Sequence, residues 1–268
     1  MIYEKQAGVP RFLCEEFKQK ERDYVLLIPI INEGKRIHNE LQRAKDHGIS
    51  EYVDIVICDG GSSDGCTDRA ILENLEVNTL LTKQDTGKQG AQLRMGIWWA
   101  LQRNYKGIIT IDGNDKDSIE DVPRFIEKLE EGYDFVQGSR FVKGGKAVNT
   151  PWIRHVSVRL IHAPVISITA KKRFTDTTNA YRAYSVRYLT DERVQPLRDI
   201  FTTYELLAYL SVRATQIGLK ACEIPVTRAY PKGEKTPTKI SFFKGNRELM
   251  KILFKNLFGA YKPEKKRD

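Results

Sequence analysis

Short apolar runs alternate with amphipathic stretches over the first half of the chain. The apolar runs are rich in β-branched residues and predict five strands, at 24–31, 52–59, 77–82, 107–112 and 133–139. The stretches between them predict four helices, at 34–47, 66–75, 89–103 and 118–131. Because the strands are short continuous apolar runs separated by helices, we expect a parallel sheet covered on both faces. The pattern therefore predicts an α/β fold with a mostly parallel central sheet flanked by helices.

The second half of the chain is less regular. A glycine-rich, basic stretch at 141–150 is typical of a mobile loop. Beyond it the pattern predicts helices at 152–170 and 201–215, a strand at 219–230, a loop at 231–239 and a final helix at 242–258. That last helix is amphipathic and is followed by a basic tail. It could pack on the protein core or lie on a membrane surface, and packing is the more usual role of such a helix.

Polar side chains follow three of the predicted strands at the point where each strand ends. Asn32 and Glu33 follow the first strand, Asp59 ends the second and Asp112 ends the fourth. Ligands of parallel α/β sheets bind beyond the carboxyl ends of the strands. These positions together predict a binding site more strongly than one acid would.

The fourth strand runs into a cluster of acids, in the stretch IITIDGNDKDSIED at 108–121. Carboxylate oxygens suit Mg²⁺ or Mn²⁺, so the cluster can be read as a metal site centred on Asp112. It can also be read as a turn in which Asp117 and Ser118 cap the helix at 118–131. The two interpretations are compatible with each other.

The chain has 268 residues, 41% of them apolar, which is enough for one large domain with a small appendage. Its net charge of +9 favours anionic partners. The basic residues are spread along the chain, which argues against nucleic acid as the partner. Four cysteines without metal-ligand spacing indicate reduced thiols in a cytoplasmic protein. No apolar run approaches the roughly 20 residues of a membrane span, so we expect a soluble or peripheral protein.

Two common phosphate-binding motifs are missing. The glycine-rich stretch at 58–68 lacks the GxGxxG pattern of dinucleotide sites, and its serines and aspartates could simply cap a helix. In the stretch TGKQG at 86–90, Gln89 stands where a P-loop needs Ser or Thr. Any phosphate site must therefore be of another kind.

Six further stretches occur in a characteristic order between about residues 25 and 240. They are PIINE (29–33), DGGSSDG (59–65), DGN (112–114), GSRFVKGG (138–145), DTTNAYRAY (176–184) and EIPV (223–226). In this order they resemble family 2 glycosyltransferases, most closely the dolichol- or polyprenyl-phosphate mannosyltransferase-like branch. The sequence departs from that pattern at Gly60, Cys66 and Asn114, where the family has Asp, Thr and a second Asp. A closing loop that contains Lys239 completes the match.

The resemblance implies a GT-A fold with a Rossmann-like sheet over 1–240 and a C-terminal amphipathic helix with its tail over 241–268. It implies inverting transfer of a sugar from a UDP- or GDP-sugar, assisted by Mg²⁺ or Mn²⁺, to a polyprenyl or dolichyl phosphate. The transfer reaction would take place at the cytoplasmic face of the membrane. Assembly of the chain into a homo-oligomer stays an open alternative.

The resemblance also assigns residues to the donor and the metal. Donor contacts would come from residues at the strand ends: Pro29, Asn32, Glu33, Asp59, Gly61, Ser62, Asp112, Gly113 and Asn114. Asp112 and Asn114 would hold the metal. Lys116 stands where the related branch often has another oxygen ligand, which leaves Asp115 or Asp117 as substitutes, or Lys116 itself as a contact of the diphosphate.

Cations and acids in the second half complete the predicted site. Arg140, Lys143, Arg182 and Lys239 are the predicted phosphate or acceptor contacts. A phosphate acceptor is already anionic and needs no general base, whereas a sugar hydroxyl would need one. Glu205 and Asp176 are the candidates for that base. Two alternatives stay open, namely transfer to a sugar hydroxyl and a catalytically weakened protein that binds nucleotide sugars.

Overall fold

The computed structural model describes residues 1–231 and 242–264. Its strands are β1 (Ile2–Tyr3), β2 (Phe12–Glu16), β3 (Tyr24–Ile30), β4 (Val53–Asp59), β5 (Thr79–Lys83), β6 (Gly107–Thr110), β7 (Phe135–Ser139), β8 (Lys146–Val148), β9 (Arg182–Ser185), β10 (Ala221–Pro225) and β11 (Thr227–Ala229). Its α-helices are α1 (Lys35–Asp46), α2 (Arg69–Asn74), α3 (Gln89–Leu101), α4 (Val122–Glu130), α5 (Trp152–Ser157), α6 (Ala163–Ala170), α7 (Val186–Thr190), α8 (Glu205–Gln216) and α9 (Phe242–Leu257).

Within the described residues, nine of the strands form one sheet in the order β1-β2-β5-β4-β3-β6-β9-β7-β10. The four strands β5, β4, β3 and β6 are parallel and adjacent, and β7 pairs in parallel with β10. The predicted α/β class and the five predicted strands are thereby confirmed. Parallel alignment matters for the site because the carboxyl ends of β3, β4 and β6 meet at one edge of the sheet.

Both faces of the sheet are covered, as the continuous apolar runs predicted. Val25 and Leu27 of β3 face a cluster that includes α3 and α8, whereas Leu26 and Ile28 face a cluster that includes α1, α2 and α4. Successive side chains of a strand point to opposite faces, so a strand buried on both sides must be apolar at every position. This burial fixes where the strand ends lie and hence where their polar residues are presented.

The structure adds antiparallel strands that the sequence pattern did not predict. β9 pairs antiparallel with both β6 and β7, and the short strands β1 and β2 extend the opposite edge of the sheet. The predicted strand at 219–230 is divided at Val226, whose N–H donates to the carbonyl of Ser139. Its second part, β11, pairs with β8, which lies inside the stretch predicted as a loop at 141–150.

The predicted helix at 152–170 is present but interrupted. A π-helical turn, Val158–His162, separates α5 from α6. Pro164 has no N–H to donate to the carbonyl four residues earlier, which disfavours regular α-helical bonding through this stretch. The helix predicted at 201–215 begins four residues later, at Glu205.

The C-terminal helix α9 packs on the body of the protein. Ile252 and Leu253 are buried in the same cluster as α3 and α8, and the side chain of Asn256 donates to the carbonyl of Ala208 at 2.7 Å. This is the packing role that the sequence favoured over a membrane anchor. None of the helices in the described ranges combines the length and apolarity that crossing a bilayer requires.

Candidate active site

The ends of β3 and β4 are tied together by their own polar residues. The backbone N–H of Asn32 donates to Ser62 Oγ at 2.9 Å, and the N–H of Ser63 donates to Asn32 Oδ1 at 2.8 Å. The N–H of Gly34 donates to Asp64 Oδ2 at 2.9 Å. Three cross-links of this kind hold the two loops in one shape, so the predicted donor residues of the two strand ends do lie together.

Asp59 organises the loop that follows β4. Its buried carboxylate accepts hydrogen bonds from the N–H groups of Gly61 and Ser62, at 3.0 and 2.9 Å, and from the Ser62 hydroxyl at 2.5 Å. Glu33, the other acid predicted to contact the donor, accepts two hydrogen bonds from Arg36 at 3.0 and 2.8 Å. Pro29 is buried within β3. Asp59 therefore shapes the loop, and its contact with a ribose stays a prediction.

Asp112 is a partly exposed acid just beyond the end of β6. Its side chain is 22% exposed; Oδ1 accepts a hydrogen bond from Gln89 Nε2 at 2.8 Å, and Oδ2 one from Arg228 Nη2 at 3.2 Å. The residue after Asp112 is Gly113, and no larger residue would fit at this position. A Cβ there would lie 2.5 Å from Ile30 Cγ2, far inside van der Waals contact. The chain turns at once, and the N–H of Asn114 donates to the carbonyl of Asp112.

The predicted metal ligands separate into two groups. Asn114 Oδ1 is buried beside Asp112 and has no hydrogen-bond partner. Asp115 points away and pairs with Arg43 at 2.8 Å, while Asp117 is buried and accepts hydrogen bonds from Arg228 and, at 3.1 Å, from Asn179. In the described part of the chain, no group of three or more His, Cys, Asp or Glu side chains could hold a metal by itself.

This donor set fits a divalent ion that the protein holds through only two oxygens. Buried polar atoms are nearly always paired, so the unpaired Asn114 Oδ1 is the observation that points to a missing partner. Mg²⁺ is commonly held by one or two carboxylates together with substrate phosphates. Asp112 and Asn114 are the two residues that could hold the ion here, and Asp115 and Asp117 have other partners.

A wall of cations faces Asp112 around the ring of Tyr230. Arg228 is buried, Lys116 Nζ lies 5.3 Å from the ring centroid, and Arg154 Nη1 donates to the Tyr230 hydroxyl at 3.0 Å. Burial and the neighbouring Arg228 lower the pKa of Lys116 to about 8. Burial tends to raise the pKa of Tyr230, but Arg228, Arg154 and Arg140 together lower it. Positive charge is therefore concentrated on this side of the site.

Arg140 and Asp176 form a buried pair behind that wall. The guanidinium donates to Asp176 Oδ2 at 2.6 Å and to Oδ1 at 2.9 Å, and the backbone N–H of Arg140 adds a third bond at 3.2 Å. Although burial opposes it, the charge of Arg140 lowers the pKa of Asp176. Arg140 was predicted to contact phosphate and Asp176 to act as a base. The structure instead gives each group the other as its partner.

Three further predicted residues, Arg182, Glu205 and Lys143, lie outside this centre. Arg182 is buried and donates to the carbonyls of Thr177, Asn179 and Leu207, so it holds backbone rather than a phosphate. Glu205 accepts from the N–H and the hydroxyl of Thr203, at 2.5 and 2.8 Å, at the start of α8. Lys143 is exposed on the loop before β8, and Lys239 is outside the described residues.

Sequence reasoning missed five residues that shape the site. Arg228, Tyr230, Arg154, Gln89 and Glu40 were not predicted. Arg228 and Tyr230 are two residues apart on and just after β11, so alternation along a strand could have paired them. Glu40 is completely buried and accepts from the N–H of Asp115 at 2.7 Å, and burial raises its pKa well above the usual value. A single acid on the buried side of a helix gives no sequence signal of that contact.

Comparison with known proteins identifies the family. The profile of the family described as "Glycosyl transferase family 2" matches residues 25–193. The chain belongs to glycosyl transferase family 2. The match spans β3 to just beyond α7 and includes Asp59, Asp112 and the Arg140–Asp176 pair. The chain is therefore an enzyme, a glycosyltransferase.

The relatives agree with the branch that the motifs indicated. This glycosyltransferase is 29% identical over 204 residues to the undecaprenyl-phosphate mannosyltransferase of Micrococcus luteus, covering 75% of this chain and 81% of that protein. It is 28% identical over 214 residues to the polyprenol monophosphomannose synthase of Mycolicibacterium smegmatis, covering 76% of each. The resemblance to polyprenyl-phosphate mannosyltransferases is confirmed.

A solved structure confirms the fold. Glucosyl-3-phosphoglycerate synthase from Mycobacterium tuberculosis, crystallised with Mn²⁺, UDP and phosphoglyceric acid, superposes with a TM-score of 0.60 at 14% identity. The alignment covers 87% of this chain and 78% of that one. The GT-A fold expected from the motifs is therefore confirmed for this glycosyltransferase.

Proposed function

We propose that this glycosyltransferase moves a sugar from a nucleoside-diphosphate sugar, UDP- or GDP-linked, to the phosphate of a polyprenyl phosphate, with inversion at the anomeric carbon. The names of the two bacterial relatives support the acceptor class. The reaction is proposed to occur at the membrane surface, on the cytoplasmic side that the sequence predicts.

The observation that carries the proposal is the character of the side chains around Asp112. Arg228, Lys116 and Arg154 line one side, whereas the two predicted bases are engaged elsewhere, Asp176 with Arg140 and Glu205 with Thr203. A site that must activate a sugar hydroxyl needs a carboxylate within hydrogen-bond reach of that hydroxyl. A site that joins two phosphorylated substrates needs positive charge instead. The second description fits the observed residues.

The chemistry requires no proton transfer by the protein. An oxygen of the acceptor phosphate forms the new bond to the anomeric carbon, and the bond from that carbon to the donor's diphosphate oxygen breaks. The nucleoside diphosphate leaves with the electron pair and gains negative charge as it departs. Arg228 and Lys116 would stabilise that charge, and Asp112 and Asn114 would hold a divalent ion. When bound, the ion supplies Lewis-acid stabilisation of the same diphosphate.

A donor screen tests the proposal. The purified chain is incubated with undecaprenyl phosphate in detergent, Mn²⁺ or Mg²⁺, and a panel of UDP- and GDP-sugars, and the lipid product is followed by mass spectrometry. We expect one nucleotide class to yield a glycosylated lipid phosphate. Absence of product with every donor, together with absence of UDP and GDP binding by calorimetry, would overturn the proposal.

A second function, a weakened protein that binds nucleotide sugars, is favoured by the substitution of Asn114 for the family's second Asp. The same screen separates the two functions. Binding of a nucleoside diphosphate without turnover of any donor would support the weakened protein and contradict the transferase.

A further inference from the structure

One segment of this chain differs from the rest in charge. From residue 141 to residue 175 the sequence contains seven Lys or Arg and no Asp or Glu: Lys143, Lys146, Arg154, Arg159, Lys171, Lys172 and Arg173. The whole chain has 44 basic and 35 acidic residues, so most of its net positive charge comes from this segment. All seven side chains except Arg154 are exposed. Such a surface is complementary to an anionic partner.

The same segment exposes large apolar side chains. Five of them, each between 41% and 76% exposed, lie on the continuous run of α5, the π-helical turn and α6: Trp152, Ile153, Leu160, Ile161 and Ile168. The opposite side of this run is buried, with Val158, Ala163 and Ile166 in the core. Exposed apolar groups concentrated on one helical face mark an interaction surface, whereas scattered ones do not.

The π-helical turn keeps these residues on one side. Bonding to the fifth residue winds the chain more slowly than α-helical bonding does, so each residue turns through a smaller angle. Leu160 and Ile168 are consequently displaced around the helix axis from Trp152 by less than they would be in a continuous α-helix. Basic residues flank the apolar face, with Arg159 beside its middle and Lys171, Lys172 and Arg173 beyond its end.

The face adjoins the cationic wall of the active site. Arg154 lies on α5 between these exposed residues, and its guanidinium reaches the Tyr230 hydroxyl at 3.0 Å. Phe141, next to Arg140, packs against His155 of the same helix with ring centroids 5.0 Å apart. An object bound to the apolar face would therefore be next to the cationic wall.

We propose that the face formed by Trp152, Ile153, Leu160, Ile161 and Ile168, called here the α5–α6 face, docks on an anionic lipid bilayer. Apolar side chains enter the acyl boundary while the flanking Lys and Arg contact lipid phosphates, the arrangement of interfacial amphipathic helices. Complementarity of charge selects a lipid surface over a neutral protein groove. The choice of a membrane rests on the proposed function, in which the acceptor is a lipid, and it places the bilayer at α5–α6 and not at α9.

Binding of the full chain to vesicles tests this surface without using turnover. We expect co-sedimentation with vesicles that contain phosphatidylglycerol, and little with phosphatidylcholine alone. Changing Leu160→Ser with Ile168→Ser should lower the partition constant about tenfold or more, because two large side chains lose their apolar contact with the bilayer. Lys171→Gln with Lys172→Gln should lower it roughly tenfold for anionic vesicles only.

Matched controls are available on α9 and directly after it. Phe258 is 82% exposed and Phe254 is also exposed, as are Lys251 and Lys255. Phe254→Ser with Phe258→Ser, and Lys251→Gln with Lys255→Gln, should each change the partition constant about twofold or less. A larger loss in these variants than in the α5–α6 variants would overturn the proposal.

Trp152 supplies a direct probe of depth. It is 76% exposed, whereas Trp99 is buried and Trp98 half-buried. Brominated lipids should quench the fluorescence of the wild type and not that of Trp152→Phe. Absence of quenching or absence of vesicle binding would overturn the proposal. So would a dimer that does not bind vesicles and that Leu160→Ser with Ile168→Ser dissociates. Transfer to a detergent-dispersed acceptor reports on the proposed function separately, since that assay needs no bilayer.

Discussion

The loops that follow β3 and β4 bond to each other, whereas the cationic wall of Arg228, Lys116 and Arg154 places its charges on one side of Asp112. In the first region, the carboxylate of Asp59 accepts from N–H groups of its own loop, and that of Asp64 accepts from the N–H of Gly34 in the loop after β3. In the second, cations outnumber acids. The first region is thus a pre-formed shape, and the second is a source of positive charge. A substitution should affect binding geometry in one region and anion affinity in the other.

Asp112 pairs with Arg228 of the cationic wall, and its loss should have the largest effect. Asp112→Asn removes a partly exposed carboxylate that could hold a divalent ion and that pairs with Arg228. We expect the rate of sugar transfer to fall by about a thousandfold. Initial rates with saturating donor provide the measurement.

Asp115→Asn is the matched control for that change, because Asp115 is a neighbouring acid that pairs with Arg43 instead. It should lower the rate less than about fivefold. Equal losses in the two variants would show that the assignment of the acids is wrong.

Arg140→Gln should lower the stability of the fold rather than remove a contact with substrate. The change leaves the fully buried Asp176 without its ion-pair partner. We expect the free energy of unfolding to drop by about 3–5 kcal/mol, as for other broken buried pairs. Denaturant titration measures the loss, and Arg187→Gln, which removes the exposed partner of Asp134, should cost about 1 kcal/mol or less. If Arg140→Gln kept full stability but lost nucleotide binding, the prediction that Arg140 contacts phosphate would be supported instead.

Lys116→Gln tests whether a protein cation does part of a metal ion's work. Removing this buried charge should weaken binding of UDP or GDP in EDTA by about tenfold. The loss should shrink when Mn²⁺ is added, because a Gln oxygen could join Asp112 and Asn114. Calorimetry of the wild type and the variant, each with and without Mn²⁺, measures the four affinities for the nucleoside diphosphate.

The exposed Lys143→Gln provides the comparison and should lose about twofold at most. If Lys116→Gln binds as well as the wild type in EDTA, the cationic wall does not contact the diphosphate.

Glu40→Gln should have the smallest effect, and one that depends on pH. Burial raises the pKa of Glu40, so the folded state favours the neutral acid. As pH rises above the unfolded-state pKa, the unfolded chain loses this proton first and wild-type stability falls until the folded pKa is passed. Glu40→Gln, which stays neutral, should therefore gain in melting temperature relative to the wild type between pH 4 and pH 8, by a few degrees. A constant difference across that range would mean that Glu40 is ionised in the fold.

Much of this architecture is predictable because the relevant signals are local. Strands buried on both faces are apolar throughout, and this property located β3, β4 and β6 and the polar residues at their ends. β9 was missed because its four residues, Arg182–Ser185, carry no apolar run and acquire their place from β6 and β7 on either side. Arg228 was missed for the same reason, since it is 116 residues from Asp112 along the chain and meets it only in the fold.

The pairing of predicted residues was harder to foresee than their importance. Arg140 and Asp176 each fell within a recognisable motif, but 36 residues separate them, and no spacing rule indicates that they neutralise each other. Whether an arginine faces a ligand or a buried carboxylate is decided by packing between strands. The pairing of Arg140 with Asp176 therefore became visible only in the fold, and the roles of the predicted site residues towards a substrate stay predictions.

The central claim is that the acceptor is a phosphate and not a hydroxyl, and a matched pair of acceptors tests it most directly. Undecaprenyl phosphate and undecaprenol have the same hydrocarbon chain and differ in the anionic group. With the active donor from the screen and the wild-type chain, we predict glycosylated undecaprenyl phosphate and no product from undecaprenol. Equal transfer to the alcohol, or transfer to a free sugar hydroxyl that Glu205→Gln abolishes, would contradict the account.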